Sequence, residues 1–369
     1  MNANNLTDLI GSTRKRVAWK AEVLRGAAQL RVARDRPLSA HDREAFRKVL
    51  DVWKPENEKP VIILRWLISE WCNYACPYCI QSHGRKEDKG GGMTAHGFDN
   101  FPVEKWLEAF DRHFADKRLS FVITGGEPFI DRVSMRVLLP RLAAMENVTA
   151  IRIDTNAWWN PDEYRDLDKS KITLMCTLHP SHTTVDKFVA RIDAILEAGF
   201  RIGIVNYVMS GSNIAHYLEN RERLKERGIP LHPNPLWDSE GQYSKEDLAL
   251  LKEALPEVDY GFRTGIVKSC GGKCVEPSLA YELNYKGEIH VACFEQPEAR
   301  GSIFDDELPR LFRGVVHCPH QTCVALDQYS FQERVNRNVG LDPLRIYGDH
   351  MRAFYGIEPV DKAEATKAG

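Results

Sequence analysis

An alternation of strand and helix patterns in the middle of this chain restricts its fold more than any other feature. Apolar strand candidates recur six times, at 61–68, 119–124, 148–154, 172–178, 201–208 and 229–236. Amphipathic helix candidates lie between them, near 102–116, 132–145, 161–168, 183–198 and 214–227. Repeated β/α units predict a parallel sheet in an α/β fold, either an open doubly wound sheet or a curved partial barrel. In both folds, ligands bind at the carboxyl ends of the strands.

The segments on either side of this alternation differ from it. Ser39 and Asp42 form a capping-box pattern that predicts a helix before the first strand. After a helix candidate at 244–255, the chain shows a hairpin candidate at 279–293 and a short helix candidate near 306–312. We therefore expect four parts: an N-terminal helical extension (1–59), the β/α region (60–243), a separate small cysteine-rich module (244–325) and a helical tail that packs back on the body (326–369).

Composition argues against two classes of partner. Of 369 residues, 43% are apolar and 28% charged, and the formal net charge is −2. This balance gives no overall attraction to nucleic acid or to an anionic membrane surface. No apolar run approaches the roughly 18 residues of a membrane span, and the N-terminus lacks the apolar core of a secretory signal. We expect a cytoplasmic protein, a location in which thiols stay reduced.

The cysteines indicate metal or cluster ligation rather than disulfides. Their number, nine, is odd, and eight of them fall in two groups. In the first group, Cys72, Cys76 and Cys79 follow the first strand candidate at x3 and x2 spacing. Such a loop can bind three corners of a cubane iron–sulfur cluster and leave the fourth iron open, an arrangement that indicates catalysis rather than structure. A structural zinc site or buried thiols are the alternatives.

A second motif, Thr124-Gly125-Gly126-Glu127-Pro128, ends the second strand candidate on the same expected edge of the sheet. Its two glycines permit a close approach of a ligand to the backbone. The Glu127 carboxylate could accept hydrogen bonds from an ammonium group. An ordinary tight turn is the alternative for this motif taken alone.

Together, CxxxCxxC after the first strand and GGEP after the second resemble the radical S-adenosylmethionine (radical SAM) superfamily, over about residues 60–236. The resemblance implies a partial (β/α)6 TIM-like barrel. It implies that Cys72, Cys76 and Cys79 hold a [4Fe-4S] cluster whose open iron binds the amino and carboxylate groups of SAM. Reductive cleavage of SAM would then yield a 5′-deoxyadenosyl radical that abstracts a hydrogen atom from the substrate.

The resemblance also assigns residues to SAM. The turn from Gly125 to Pro128 would hold the methionine end, and Tyr78 matches an aromatic position near the adenine. The full implied set is Tyr78, Gly125, Gly126, Glu127, Pro128, Thr155, Asn156, Thr177, Asn206 and Leu236. His179 is a departure, since many relatives carry Ser-x-Asp where this chain has Thr177-Leu-His179. Period-two alternation directs Thr177 and His179 into the barrel and Cys176 outward.

The second cysteine group resembles the SPASM/twitch extension of radical SAM enzymes, which holds auxiliary [4Fe-4S] clusters. Five cysteines are too few for the seven of a full set, so the resemblance implies one auxiliary cluster. The expected ligands are Cys274, Cys293, Cys318 and Cys323. Cys270 is then an alternative ligand, a spare thiol or a catalytic hydrogen donor to a substrate radical. Structural zinc is the alternative for this site.

The expected activity is dehydrogenation, epimerisation or dehydration of a polar small molecule such as a sugar, aminocyclitol or nucleoside. An external one-electron reductant of the flavodoxin or ferredoxin type would be the redox partner. Maturation of a ribosomal peptide, by cross-linking or epimerisation, is the second enzyme hypothesis, and a non-catalytic iron–sulfur or zinc protein is the third. The candidates for substrate contact are Asp154, His179, His182, His232, Asn234 and Trp237.

Overall fold

The computed structural model describes residues 38–47, 50, 61–79, 97–209, 216–236, 243–291, 299–311, 314–318, 320–323, 330–333, 335, 355 and 357. The helices in these ranges are α1 (Ala40–Ala45), α2 (Gly97–Asn100), α3 (Val103–Phe114), α4 (Arg132–Ala144), α5 (Val185–Glu197), α6 (Tyr217–Lys225), α7 (Lys245–Ala254) and α8 (Glu257–Arg263). The strands are β1 (Val61–Ser69), β2 (Arg118–Gly125), β3 (Val148–Thr155), β4 (Ile172–Leu178), β5 (Arg201–Met209), β6 (Leu231–Pro235), β7 (Lys273–Cys274), β8 (Ala280–Asn284), β9 (Glu288–Val291), β10 (Gly301–Ser302) and β11 (Val316–His317).

One sheet runs through the described strands in the order β10-β9-β8-β1-β2-β3-β4-β5-β6. Strands β1 to β6 pair in parallel, with α-helices in every crossover except that from β3 to β4, which holds a 3-10 turn. The fold is therefore a mixed α/β fold whose parallel sheet resembles a partial TIM barrel, as the alternation predicts. All six strand candidates are confirmed, with ends that shift by no more than two residues.

The hairpin candidate forms as β8 and β9, but it is joined to the parallel sheet. Strand β8 pairs in parallel with β1, from Ile63 opposite Ala280 to Leu67 opposite Asn284. Strand β9 then pairs antiparallel to β8. The cysteine-rich segment thus extends the sheet beyond β1, whereas the sequence predicts a separate module.

The two faces of the sheet bury different side chains. On β4, Ile172, Leu174 and Cys176 belong to the main core, into which helices α3 to α6 also pack. The alternate residue Met175 belongs to a smaller cluster with Ile204, Phe262, Val335, Tyr355 and Ile357. We call the side that holds Met175 the inner face, because it lies opposite helices α3 to α6. The prediction that Cys176 points outward agrees with this packing.

Two predicted helices are wrong. Residues 161–168 form only a 3-10 turn, Pro161–Tyr164. Downstream, the Asp168 carboxylate accepts from the Ser170 N–H at 2.9 Å, which is a local bond that competes with helix formation. The described part of 306–312 is not helical. There, Pro309 has no backbone N–H to donate to a helix.

The segment before β1 has the predicted capping box. The Asp42 N–H donates to the Ser39 hydroxyl at 3.1 Å, and the Ser39 N–H donates to the Asp42 carboxylate at 3.4 Å. Lys273 contacts the same Asp42 carboxylate at 2.7 Å, so α1 is tied to β7. No described helix has the length and apolar character required to cross a membrane.

Candidate functional site

The first cysteine group lies in the loop Trp71–Cys79, directly after β1. The Ser69 hydroxyl accepts from the Trp71 N–H at 2.8 Å and turns the chain away from the strand. Within the loop, the Tyr74 N–H donates to the Cys72 sulfur at 3.3 Å, and the Cys79 N–H donates to the Cys76 carbonyl at 3.1 Å. Cys76 is buried and the other two cysteines are half-buried. The loop therefore presents three thiols within one turn of chain.

Burial keeps two of these thiols protonated in the metal-free protein. It raises the pKa of Cys72 to about 11 and the pKa of Cys76 to about 12, and the nearby Cys79 adds to both shifts. Iron must displace these protons, because the thiolate is the ligand. In the described part of the chain, no group of three His, Cys, Asp or Glu side chains is arranged around a single metal ion. A cubane needs a wider arrangement, since its cysteines bind different irons.

The glycines of the GGEP turn make room for this cysteine loop. The Gly126 N–H donates to the Ser69 carbonyl and the Glu127 N–H to the Trp71 carbonyl, both at 2.7 Å. A Cβ on Gly126 would lie 1.8 Å from the Trp71 oxygen, and Gly125 has φ +143°. Only glycine permits so close an approach of two backbones. The turn and the cysteine loop are therefore in direct backbone contact. The sequence predicts that the two glycines make room for a ligand, whereas in the structure they make room for the cysteine loop.

The Glu127 carboxylate holds the next strand to this unit. It is buried and accepts from the Phe129 N–H at 3.2 Å, the Thr155 hydroxyl at 2.8 Å and the Asn156 N–H at 2.7 Å. Burial raises the pKa of Glu127 to about 7, although the three donors act in the opposite direction. The sequence predicts an ammonium partner for this carboxylate, whereas its described partners are protein groups. Glu127 therefore links the end of β2 to the end of β3.

Asn156 extends this connection from β3 to the first cysteine. Its side-chain Nδ2 donates to the Asn73 Oδ1 at 2.7 Å and lies 3.8 Å from the Cys72 sulfur. Its own side-chain Oδ1 accepts from the Trp158 N–H at 2.9 Å. The turn behind it has an unusual backbone, since Ala157 has φ +64°. The ends of β1, β2 and β3 therefore meet around Cys72.

The end of β4 brings two histidines to the same loop. The His179 Nδ1 lies 3.6 Å from the Cys76 sulfur and 3.2 Å from the Tyr78 hydroxyl. His182 stacks on the Tyr74 ring with centroids 4.4 Å apart. Burial, and then the neighbouring His182, lower the pKa of His179 to about 4, so its imidazole is neutral. The sequence places His179 among the substrate contacts, but in this structure it contacts the cysteine loop.

Polar side chains occupy the inner face farther along the sheet. Thr177, Asn206 and His232 are register partners on β4, β5 and β6. His232 is fully buried, with Nδ1 3.3 Å from the Tyr355 hydroxyl, while its Nε2 and the Asn206 Oδ1 have no hydrogen-bond partner among the described residues. Buried polar atoms of this kind favour a polar ligand or a water in the barrel.

Three further inner-face or rim candidates already have protein partners. Asp154 pairs with Arg152 at 2.9 Å, and Asn234 accepts a hydrogen bond from Arg263. The Leu236 N–H donates to the Tyr243 hydroxyl at 2.9 Å. Trp237 lies outside the described residues.

The second cysteine group surrounds the short pair β7–β11. The Cys318 N–H donates to the Gly272 carbonyl at 2.7 Å, and the Gly271 N–H to the Cys318 carbonyl at 2.9 Å. Burial raises the pKa values of Cys274 and Cys323 well above the ordinary range, and nearby Glu276 and Cys318 add to both shifts. Three of the late cysteines are therefore neighbours. Cys270 is exposed, and Cys293 lies outside the described residues.

A buried arginine that sequence reasoning missed connects the two cysteine groups. Arg65 lies in the middle of β1 and is 2% exposed. It forms an ion pair with Glu276, two residues after Cys274, and lies 3.8 Å from Glu282 on β8. Its guanidinium also lies 5.9 Å from the centre of the Phe331 ring. The available signal was a single charge inside the otherwise apolar run of residues 61–68.

Comparison with known proteins agrees with this geometry. Residues 66–236 match the family model of the Radical SAM superfamily. The matched segment is 171 of the 369 residues, so a little less than half of this chain is similar to the superfamily. The chain is 28% identical over 165 residues to a GTP 3′,8-cyclase of Xanthomonas campestris pv. campestris (strain 8004). This alignment covers 41% of this chain and 47% of the cyclase. A GTP 3′,8-cyclase of strain B100 is 32% identical over 100 residues, 27% of each chain.

The chain thus spans about half the length of the first cyclase. Among solved structures, anSMEcpe with bound AdoMet aligns with a TM-score of 0.50 and 14% identity, over 67% of this chain and 79% of anSMEcpe. At that identity, the likeness shows the fold alone.

Proposed function

We propose that this chain is a radical SAM enzyme that binds SAM at the Cys72–Cys79 loop, holds one auxiliary [4Fe-4S] cluster, and dehydrogenates, epimerises or dehydrates a polar small molecule. A sugar, aminocyclitol or nucleoside is the expected substrate class. The observation that carries the proposal is the junction at Glu127, which joins the cysteine loop, the GGEP turn and the end of β3. A merely structural metal site would not need this junction of three strand ends.

The donor set fits a cluster with one open iron. Cys72, Cys76 and Cys79 offer three thiols and no fourth cysteine among the described neighbours. When bound, the cluster supplies the electron for reductive cleavage of SAM, since iron–sulfur potentials extend to about −700 mV. The protein residues supply position. Gly125, Gly126 and Glu127 would bind the methionine end, since the Glu127 carboxylate accepts from three protein donors and has room for about one more.

The remaining SAM contacts follow from the same placement. Tyr78, Pro128, Thr155, Asn156, Thr177, Asn206 and Leu236 are the other residues that we assign to SAM. The SPASM/twitch resemblance supports the auxiliary cluster at Cys274, Cys318, Cys323 and Cys293, with Cys270 as the alternative ligand or hydrogen donor. A flavodoxin or ferredoxin type of reductant in a reducing cytoplasm would supply the electron.

Two observations favour a polar small molecule. Thr177, Asn206 and His232 form a polar row on the inner face, and two of their atoms have no partner among the described residues. The similar GTP 3′,8-cyclases act, by name, on a nucleotide. The substrate candidates remain Asp154, His182, His232, Asn234 and Trp237, while His179 is assigned a different role below.

Anaerobic reconstitution with iron and sulfide tests the proposal. We expect about eight irons per chain and 5′-deoxyadenosine formation from SAM with dithionite. Alanine at Cys72, Cys76 or Cys79 should abolish deoxyadenosine formation, while alanine at Cys274 or Cys323 should leave SAM binding intact. Cys176→Ala is the matched control, because Cys176 is fully buried in the core behind the sheet.

The outcomes separate the hypotheses. Zinc in the purified protein, without any SAM turnover after reconstitution, would contradict the proposal. Loss of SAM binding in the Cys274 or Cys323 variants would contradict the division into two sites. A panel of deuterated nucleosides, aminocyclitols and sugars, with mass detection of deuterium in 5′-deoxyadenosine, tests the substrate class. If deuterium were transferred from none of these molecules but from a deuterated peptide, maturation of a peptide would be favoured.

A further inference from the structure

A hydrogen-bonded group at the end of β4 lies directly against one of the three cysteines. His179 Nδ1 is 3.6 Å from the Cys76 sulfur, and the Tyr78 hydroxyl is 3.2 Å from the same nitrogen. The Tyr78 hydroxyl is also 3.1 Å from the Ser181 hydroxyl. Cys76 is the most buried of the three cysteines. Little water can therefore reach this sulfur, and protein donors matter more.

The backbone holds His179 in this position. Its carbonyl accepts from the His182 N–H at 2.9 Å and from the Thr183 N–H at 3.2 Å, which closes a turn after β4. The Tyr74 ring meets the imidazole edge to face, with centroids 5.7 Å apart. The imidazole is therefore fixed from both the backbone and the cysteine loop.

The chemistry of an iron-bound cysteine decides which atom carries the proton. A thiolate has no proton and can only accept, so a bond with His179 requires the Nδ1–H form of the imidazole. The Tyr78 hydroxyl can then donate to Ser181, and its oxygen, 3.2 Å from Nδ1, shares the same Nδ1–H with the Cys76 sulfur. An ionised aspartate at this position could not donate and would repel the thiolate.

We propose that His179 is a positioning residue that donates its Nδ1–H to the iron-bound sulfur of Cys76 and raises the reduction potential of the SAM-binding cluster. This inference rests on the proposed function of the Cys72–Cys79 loop. A hydrogen bond to a ligating sulfur withdraws negative charge and favours the reduced cluster, which is the more negative state. Tyr78 supports the arrangement by holding the imidazole and binding Ser181.

Four proteins test the proposal: the wild type, His179→Phe, His179→Asn and His182→Phe. Phenylalanine keeps a ring but removes the donor, while the asparagine amide nitrogen takes the place of Nδ1. His182→Phe is the matched control, because His182 is exposed and stacks on Tyr74, and none of its described contacts is to a cysteine sulfur. Each reconstituted protein is poised anaerobically at the same potential. The electron paramagnetic resonance signal that changes on addition of SAM is then integrated.

We expect the ratio of reduced to oxidised cluster in His179→Phe to fall about tenfold, which corresponds to about 59 mV for one electron. His179→Asn and His182→Phe should stay within about twofold of the wild type. If His179→Phe takes up no iron, the smaller His179→Leu provides the same comparison.

The outcomes separate this inference from the proposed function. A loaded cluster with an unchanged ratio in the donor-less variant overturns the inference and leaves the proposed function intact. An equal fall in His182→Phe also overturns it, since aromatic packing would then be the cause. A wild-type protein that gains no SAM-sensitive signal would instead remove the proposed function, and with it this inference.

Discussion

The two cysteine groups are built in different ways. The Cys72–Cys79 loop lies at the edge of the parallel sheet, with two of its three cysteines half-buried, and receives contacts from the ends of β2, β3 and β4. The late group lies around strands of only two residues, with Cys274 and Cys318 buried. A buried ion pair between Arg65 and Glu276 connects it to the sheet.

This difference separates two tasks that cysteines perform. A loop at the open ends of strands leaves one side for a ligand, which suits a site where SAM must enter and leave. In the late group Cys274 and Cys318 are buried, whereas Cys323 is half-buried and Cys270 is exposed, and the buried pair suits a cluster that stays in place. The predictions below test this contrast, beginning with the largest expected effect.

Arg65→Met should destabilise the protein more than any other single change at either group. It would leave Glu276 and Glu282 buried without their cation, a loss of about 3–5 kcal/mol in the free energy of unfolding. Urea denaturation of the metal-free protein, followed by circular dichroism, measures this. Arg141→Met is the control, since its pair with Glu104 at 3.2 Å is exposed and should be worth about 0–1 kcal/mol. Equal stabilities of the two variants would show that the buried link is unimportant.

Alanine at one glycine of each group should distinguish the two regions. In Gly126→Ala the new Cβ would lie 1.8 Å from the Trp71 carbonyl, so the cysteine loop must move. We expect a cost of about 1–3 kcal/mol, loss of about half of the bound iron, and no 5′-deoxyadenosine formation.

Gly271→Ala is the matched change in the second region. Gly271 has φ +74° and open space around its Cβ position. The free energy of unfolding should therefore fall only by the strain of alanine in a left-handed backbone conformation, about 1–2 kcal/mol. Iron content and SAM cleavage should stay close to the wild type. Full iron loading of Gly126→Ala would show that the loop can adapt, and that the two backbones need not meet so closely.

Alkylation of the metal-free protein should show the smallest but most detailed difference. With iodoacetamide, exposed Cys270 should react first, half-buried Cys72 next, and buried Cys274 and Cys318 last. The Cys72 thiol has a pKa raised to about 11. Its thiolate fraction, and hence its rate, should therefore rise about tenfold per unit between pH 8 and 10. Peptide mass spectrometry measures each rate. Equal rates at Cys72 and Cys274 would contradict the closed character of the second group.

Local sequence patterns were sufficient to predict many of the strands and helices of this molecule. The alternation of apolar runs and amphipathic segments predicted β1 to β6, since strand and helix periodicities depend on neighbours in the chain. It failed at 161–168, where the Asp168–Ser170 turn replaces helical bonds. The motifs at Cys72–Cys79 and Gly125–Glu127 stand out because each is contained in a few consecutive residues.

Other features depended on contacts between distant residues. The donors to Glu127 come from Thr155 and Asn156, and no local pattern shows that these bonds occupy the carboxylate. His179 likewise reaches Cys76 only because β4 ends beside the cysteine loop.

Residue types, spacing and periodicity alone therefore established a parallel α/β fold, a three-cysteine loop at the carboxyl end of β1 and a second cysteine group. The three-dimensional fold alone decided that β8 would pair with β1, that Arg65 would meet Glu276 across 211 positions, and that His179 would face a cysteine sulfur. The physical reason is that periodicity reports which side of an element is buried, whereas the partner on that side is chosen by packing and pairing over the whole chain.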